Sequence, residues 1–422
     1  MSKPAQPALL PSAQQRNILY VILDGAGIGL IAAGGSFVSV FVVRLGASPF
    51  WVSLLSSVPS IIALTMTWPW SRFVERQPHP QKVLAWARLI GYLFYLPIAI
   101  VPFLFWGAWT PKLIVILWSL TAFTGSLVNL TFTLTMGYAV PPHQRAFLMS
   151  RRWMVLGIAQ ALALPVVSWL IDALPFPLGY QVVFIANALI AFWSFYWTQR
   201  IRVTERPAPP PSTPGRRPML ASMRQSWAEI WAAKPFLTFI GGRTLFNLGL
   251  TMVGALINIY WINHLGFSDT WVGAMIATAT VATLLAYLPW VRIKGKIGTW
   301  KLAIATVFGA SLYPALLALA GSPGWTLPVV ALNGIMGAGL NLAFFDALLE
   351  VCPPRKEERF VALNAIAVYV TGVIGPPTGA ALLNVLDIRW VLVIGSIVAL
   401  SGVAVFVWAG RRPRPKGAIS KR

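Results

Sequence analysis

Four charged residues stand inside long apolar runs of the chain: Asp24, Arg243, Asp346 and Glu350. A charge held at the middle of a bilayer costs about 2.5–3.5 kcal/mol on insertion scales, so it persists where it meets water, a partner or a ligand. Arg243 heads a stripe in which Asn247, Thr251, Gly254 and Asn258 follow at intervals of four, four, three and four. Those steps keep all five residues on one helical face. A guanidinium, two amides and a hydroxyl in register predict the wall of a water-filled cavity; amides bonded to neighbouring helices are the competing use. Asp24 and Arg243 each lie about 10 Å into their runs at about 1.5 Å per residue, which predicts an ion pair between them. The alternatives give Arg243 to Asp346 or to an anionic solute.

Asp346 and Glu350 are four apart and share a face. Glu350 is close enough to its run's end to reach water or Arg355, Lys356 and Arg359. Burial disfavours the charged form of a carboxylate, so Asp24 and Asp346 are the candidates for carrying a coupling proton, with a structural salt bridge as the equal alternative. Thr121, Thr124, Thr131 and Thr135 form another stripe, a weaker sign of a cavity wall because threonine can bond its own helix. No nucleophile is paired with a base. His79, His143 and His264 are far apart, and Cys352 is the single cysteine, so neither an enzyme nor a metal site is expected, and no cofactor beyond a coupling proton.

The runs that carry these residues define the class. The chain is 57% hydrophobic and 10% charged, against about a quarter charged in soluble proteins. Twelve runs are long enough to cross a bilayer as helix: about 17–43, 49–70, 83–108, 113–140, 153–174 and 180–199, then 236–262, 269–291, 301–321, 325–351, 360–384 and 388–409. The net charge of +22 suggests nucleic acid until its placement is examined. Of 33 Lys and Arg, 29 fall in the N-terminal tail, the loops after even-numbered runs, the central linker and the C-terminal tail, leaving Arg44, Lys112, Arg243 and Arg389. That is the positive-inside bias, which predicts a multi-pass protein of the cell membrane with both termini cytoplasmic and no nucleic-acid partner.

The runs also repeat. Leu45, Gly46, Ser48, Trp51, Val52, Pro69, Trp70 and Arg72 recur 220 positions later as Leu265, Gly266, Ser268, Trp271, Val272, Pro289, Trp290 and Arg292. Asn129, Leu130 and Phe132 before Pro141 recur 212 later as Asn341, Leu342 and Phe344 before Pro353. The chain is two copies of one unit. Six runs per copy is an even number, so both copies enter from the same side and the repeat is parallel. The expected organisation is a cytoplasmic tail over 1–16, a six-helix bundle over 17–200, a basic linker over 201–235, a second bundle over 236–410 and a basic tail over 411–422. Six prolines between 207 and 218 make the linker an extended tether. The mirrored asparagines are expected to serve packing, and Trp70, Trp290, Arg72 and Arg292 to anchor the interface.

This six-plus-six plan with a long central loop resembles the major facilitator superfamily of secondary transporters. The family's signature loop after span 2 is matched in kind by Glu75, Arg76 and Lys82 near Arg72, with Ser71 replacing its glycine and Pro78 and Pro80 interrupting its basic cluster. The resemblance implies that Arg72, Glu75, Arg76 and Lys82 gate the cytoplasmic side, a solvated loop being the alternative. It also implies that spans 1, 4, 7 and 10, which hold the four buried charges, line the central cavity. A Gly-Pro pair associated with antiport is absent from span 5, and Gly375, Pro376 and Gly379 stand in span 11 instead. Small residues there and at Gly25 and Gly29 are read as close helix packing. The expected substrate cavity comprises Asp24, Arg243, Asn247, Thr251, Asn258 and Asp346. The expected protein is an all-α, monomeric secondary transporter moving a small organic solute across the lipid bilayer, with proton-coupled efflux of amphipathic compounds as the leading form. Alternatives are a sugar or metabolite importer, a lipid flippase or a non-transporting sensor.

Overall fold

The structure is a computed structural model, described here for residues 11–105, 107–203, 233–352 and 357–410. Twelve helices are long and apolar enough to span a membrane. In the first half they are α1 (Gln14–Arg44), α2 (Pro49–Glu75), α3 (Pro80–Leu104), α4 (Thr110–Ala139), α5 (Phe147–Ala173) and α6 (Leu178–Gln199). In the second they are α7 (Lys234–His264), α8 (Asp269–Ile297), α9 (Thr299–Leu319), α10 (Pro323–Leu348), α11 (Phe360–Leu382) and α12 (Ile388–Trp408). Residues 204–232 of the expected linker, the expected C-terminal tail, and Arg355 and Lys356 lie outside the described residues.

The repeated residues make the same turns twice. Gly46 and Gly266 both take positive φ, 79° and 67°, where a Cβ would be strained. The serines that follow, Ser48 and Ser268, hold extended backbone ahead of α2 and α8, and Ser268 caps α8 by accepting from Trp271 N. Trp70 donates its indole N–H to the Phe123 carbonyl at 2.9 Å, and Trp290 donates to Ile335 at 2.7 Å. The separations between these partners match the two repeat offsets. These indoles therefore tie α2 to α4 and α8 to α10, a role beyond the interfacial anchor expected of them.

Within the first bundle α1 packs on α5 and α6, α3 on α4 and α6, and α2 on α4; the second repeats these pairings, with α7 on α11 and α12. Gly25 lies against Arg152, Gly29 against the Leu156 carbonyl, and Gly375 and Gly379 against Thr251 and Met252, so these glycines do set close helix approaches. The bundles meet along α5 against α8 and α2 against α11. Gly273 abuts Ser168, Gly372 abuts Ser60, and Gly157 abuts Leu284 across that seam.

Candidate functional site

Asp24 is buried at 1% exposure, and its partners are not those expected. Arg88 on α3 donates Nη1 to its Oδ1 at 2.6 Å, and Arg152 on α5 donates Nη2 to Oδ2 at 3.5 Å. Ser194 and Thr198 on α6 donate hydroxyls to Oδ1 at 2.7 and 3.1 Å. The expected Asp24–Arg243 pair is thus replaced by a cluster internal to the first bundle. Both arginines were assigned to loops by charge counting, yet they lie inside α3 and α5 at 5% and 3% exposure. The available signal was position 88, already inside the apolar run read from 83. Arg152 was hidden because its helix starts before the apolar residues do, the helical turns running back to Pro142.

Arg243 meets no acceptor among the described residues, and its Nε is buried without a partner. Its guanidinium carbon lies 4.6 Å from the centre of the Phe344 ring on α10. Asn247, one turn on, also has no side-chain partner among the described residues. The rest of the stripe is divided. Thr251 bonds within its helix and to Thr371 of α11 at 3.1 Å, whereas Asn258 reaches across the seam to Ser39 of α1 at 3.1 Å. Asp346 pairs with Lys294 of α8 instead of Arg243.

The α4 threonines divide as well. Thr131 and Thr135 are fully buried and bond their own helix, while Thr121 and Thr124 line a cavity of about 140 Å³ with Arg88, Tyr92, Tyr95 and Trp118. Arg72, Glu75, Arg76 and Lys82 are exposed at the terminal end of the bundles, where α1 begins and α12 finishes. None of the four forms an ion pair among the described residues, and Arg72 lies over the Trp68 ring at 3.7 Å.

The opposite end is tied shut by residues that the sequence reading left aside. Arg44 of α1 pairs with Asp269 of α8 at 3.0 Å and donates to the Phe267 carbonyl at 2.8 Å. Tyr180 of α6 donates its hydroxyl to Asp269 at 2.5 Å. Asp172 of α5 accepts from the backbone N–H of Asp269 and Thr270 at 3.1 and 2.7 Å, so a carboxylate of one bundle caps a helix N-terminus of the other. With Asn258–Ser39, these are the polar ties between the bundles among the described residues. None is near the terminal end.

Twelve membrane-length helices in two bundles of repeated plan, with polar ties between the bundles at one end among the described residues, are the architecture of a membrane transporter. A family model described as Major Facilitator Superfamily matches residues 18–345 and 239–422, and the chain belongs to that superfamily. No curated protein matches the sequence. Among solved structures, a bacterial homologue of the iron transporter ferroportin in an inward-facing state is 14% identical, with a TM-score of 0.71 over 96% of this chain and 100% of that one. An auto-inhibited POT family peptide transporter is 11% identical, with a TM-score of 0.71 over 96% and 99%. A D-xylose-proton symporter is 14% identical, with a TM-score of 0.68 over 95% and 97%. At such identities the likeness is one of fold. The protein is an all-α secondary transporter with twelve spans, and it is not an enzyme.

Proposed function

We propose that this transporter exports a small amphipathic organic solute from the cytoplasm by rocking its two bundles about a mid-membrane crevice. The observation that carries the proposal is the one-sided placement of the interbundle ties, Arg44–Asp269–Tyr180 and Asp172 at one end with no counterpart at the other among the described residues. The basic loops and tails mark the untied end as cytoplasmic, so this arrangement faces inward. In it the latch proposed for Arg72, Glu75, Arg76 and Lys82 is disengaged, as a latch on the open side should be. The aromatic Phe344 beside Arg243, and Tyr92 and Trp118 lining the small cavity at Arg88 within the first bundle, favour an amphipathic cargo. The solved relatives by fold carry sugars, peptides or metal in their descriptions, so fold leaves the cargo to these side chains.

Proton coupling, if it operates through a carboxylate, falls to Asp346. Protonating Asp24 would leave Arg88 and Arg152 as two buried cations without a counter-charge, whereas Asp346 faces one lysine and is 29% exposed.

Rocking is tested without knowing the cargo. Spin labels at Met154 and Leu288, both exposed on α5 and α8, should report two separations in nanodiscs. A disulfide between Ser39→Cys and Asn258→Cys, in a Cys352→Ser background, should hold the far end shut and leave one separation. Labels that report one separation regardless of the cross-link would rule out alternating access; vesicles of either orientation then give the direction of transport.

A further inference from the structure

Every buried or half-buried carboxylate in the described spans already has a cation, and that cation is never Arg243. Asp24 is shared by Arg88 and Arg152, Asp346 is held by Lys294, and Asp269 is held by Arg44 and Tyr180. Each of these carboxylates has a cation, and none reaches Arg243. The guanidinium of Arg243 therefore stands about a third of the way along α7 with no counter-ion among the described residues, half-buried, with one face covered by Phe344. A ring face offsets part of the desolvation of a guanidinium. It does not satisfy the N–H donors, which lie in the guanidinium plane and still need oxygen acceptors. Asn247, one turn away on the same face, adds an amide whose hydrogen-bonding capacity is likewise unspent.

We propose, on the basis of the transporter reading above, that Arg243 is the docking point for the cargo's acidic group and that the cargo is an organic monocarboxylate with an apolar or aromatic body. A planar fork of donors fits the two oxygens of a carboxylate. One guanidinium neutralises one charge, so a phosphate dianion would bring a second negative charge with no partner. Phe344, which already contacts the guanidinium and stacks within a cluster containing Phe239, Phe246 and Phe406, supplies the apolar flank beside the acid. Asn247 orients the bound carboxylate by donating its amide N–H to one oxygen. The bound state removes the unpaired cation, so binding and burial of Arg243 are coupled, and closing the near end over an empty site is disfavoured relative to closing over a loaded one.

The test uses the full chain in nanodiscs and three matched probes: 1-naphthoate, 1-naphthamide and 1-naphthyl phosphate. Naphthoate should raise the unfolding temperature in a saturable way, naphthamide at equal concentration should not, and the phosphate should bind at least tenfold more weakly than the carboxylate. Arg243→Gln should weaken naphthoate at least tenfold, while Arg243→Lys, which keeps the charge and loses the fork, should fall between. The acid-to-amide ratio is read on the wild-type protein, so it stands even if a variant fails to fold. Equal response to acid and amide, no response to the acid, tighter binding of the phosphate, or full naphthoate binding by a folded Arg243→Gln overturns the proposal. If the spin-label separations still exchange, the transporter reading survives that failure; if they do not, it falls separately.

Discussion

In the first half of the chain Val74 and Leu134 belong to one apolar cluster between α2, α3 and α4, whereas the positions 220 and 212 further on hold Lys294 and Asp346, joined as an ion pair between α8 and α10. The contrast runs the other way at the centre of the bundles. Arg88 and Arg152 hold Asp24 inside the first bundle, while the second keeps Phe239, Phe246, Phe344 and Phe406 together and leaves Arg243 on the edge of that cluster. Residues that recur in both halves (the turn glycines, the Trp70 and Trp290 indoles) build the shared scaffold. Residues that differ distinguish the halves: the first bundle holds its charged cluster buried, and the second leaves Arg243 and the Lys294–Asp346 pair partly exposed.

The contrast is broken most severely by removing the centre of the first bundle's cluster. Asp24→Asn leaves two guanidinium groups buried without a counter-charge, a loss of about 3–5 kcal/mol for a buried pair of this kind. Unfolding in detergent micelles should show a large fall in midpoint or no folded protein. Asp346→Asn removes a partner from a pair about a third exposed and should cost about 0–1 kcal/mol. Comparable losses at the two carboxylates would contradict the division between a buried cluster and a partly exposed pair.

Grafting sharpens the comparison with a smaller effect. Replacing Lys294 by Val together with Asp346 by Leu gives the second half the residues the first already has at those positions, and an apolar pair of similar shape substitutes for a salt bridge at little cost. Stability should stay within about 1 kcal/mol. If Asp346 carries the coupling proton, the graft abolishes the dependence of transport on a pH gradient while facilitated counterflow persists. Gradient-driven accumulation by the grafted protein would instead remove Asp346 from coupling.

The fold was legible because its signals are redundant: twelve apolar runs, an alternating charge bias and a repeat carried by Trp, Pro and Gly, of which the glycines occupy turns and Trp70 and Trp290 make interhelical ties. The site was legible in part. Arg243 and Asn247 were found because a polar stripe in an apolar helix has few neutral explanations. Asp24 was found for the same reason, but its partners were not, since Arg88 and Arg152 lie near helix starts where cations are also expected from the positive-inside bias. Spacing along one helix says nothing about which neighbour comes close. The far-end tie of Arg44, Tyr180, Asp172 and Asp269 was invisible for a related reason: each residue is an ordinary loop-edge polar group until packing brings all four together.

The mildest test concerns what the halves share. Trp70 and Trp290 make equivalent bonds, indole N–H to a backbone carbonyl of the next cavity helix but one, at 2.9 and 2.7 Å. A hydrogen bond of this type contributes about 0.5–1.5 kcal/mol net. Phenylalanine keeps most of the ring and removes the donor, so Trp70→Phe and Trp290→Phe should each lower stability by about 1 kcal/mol, and by nearly the same amount. Because the two sites lie in different bundles and share no partner, the double variant should show the sum of the single losses. Losing the indole donor at the Phe123 and Ile335 carbonyls would change their backbone environment, visible as shifts in isotope-edited infrared spectra at both sites. A loss at one tryptophan and none at the other would mean that the repeat preserves the residue without preserving its mechanical role, and the division into shared scaffold and divergent function would have to be redrawn from that position outward.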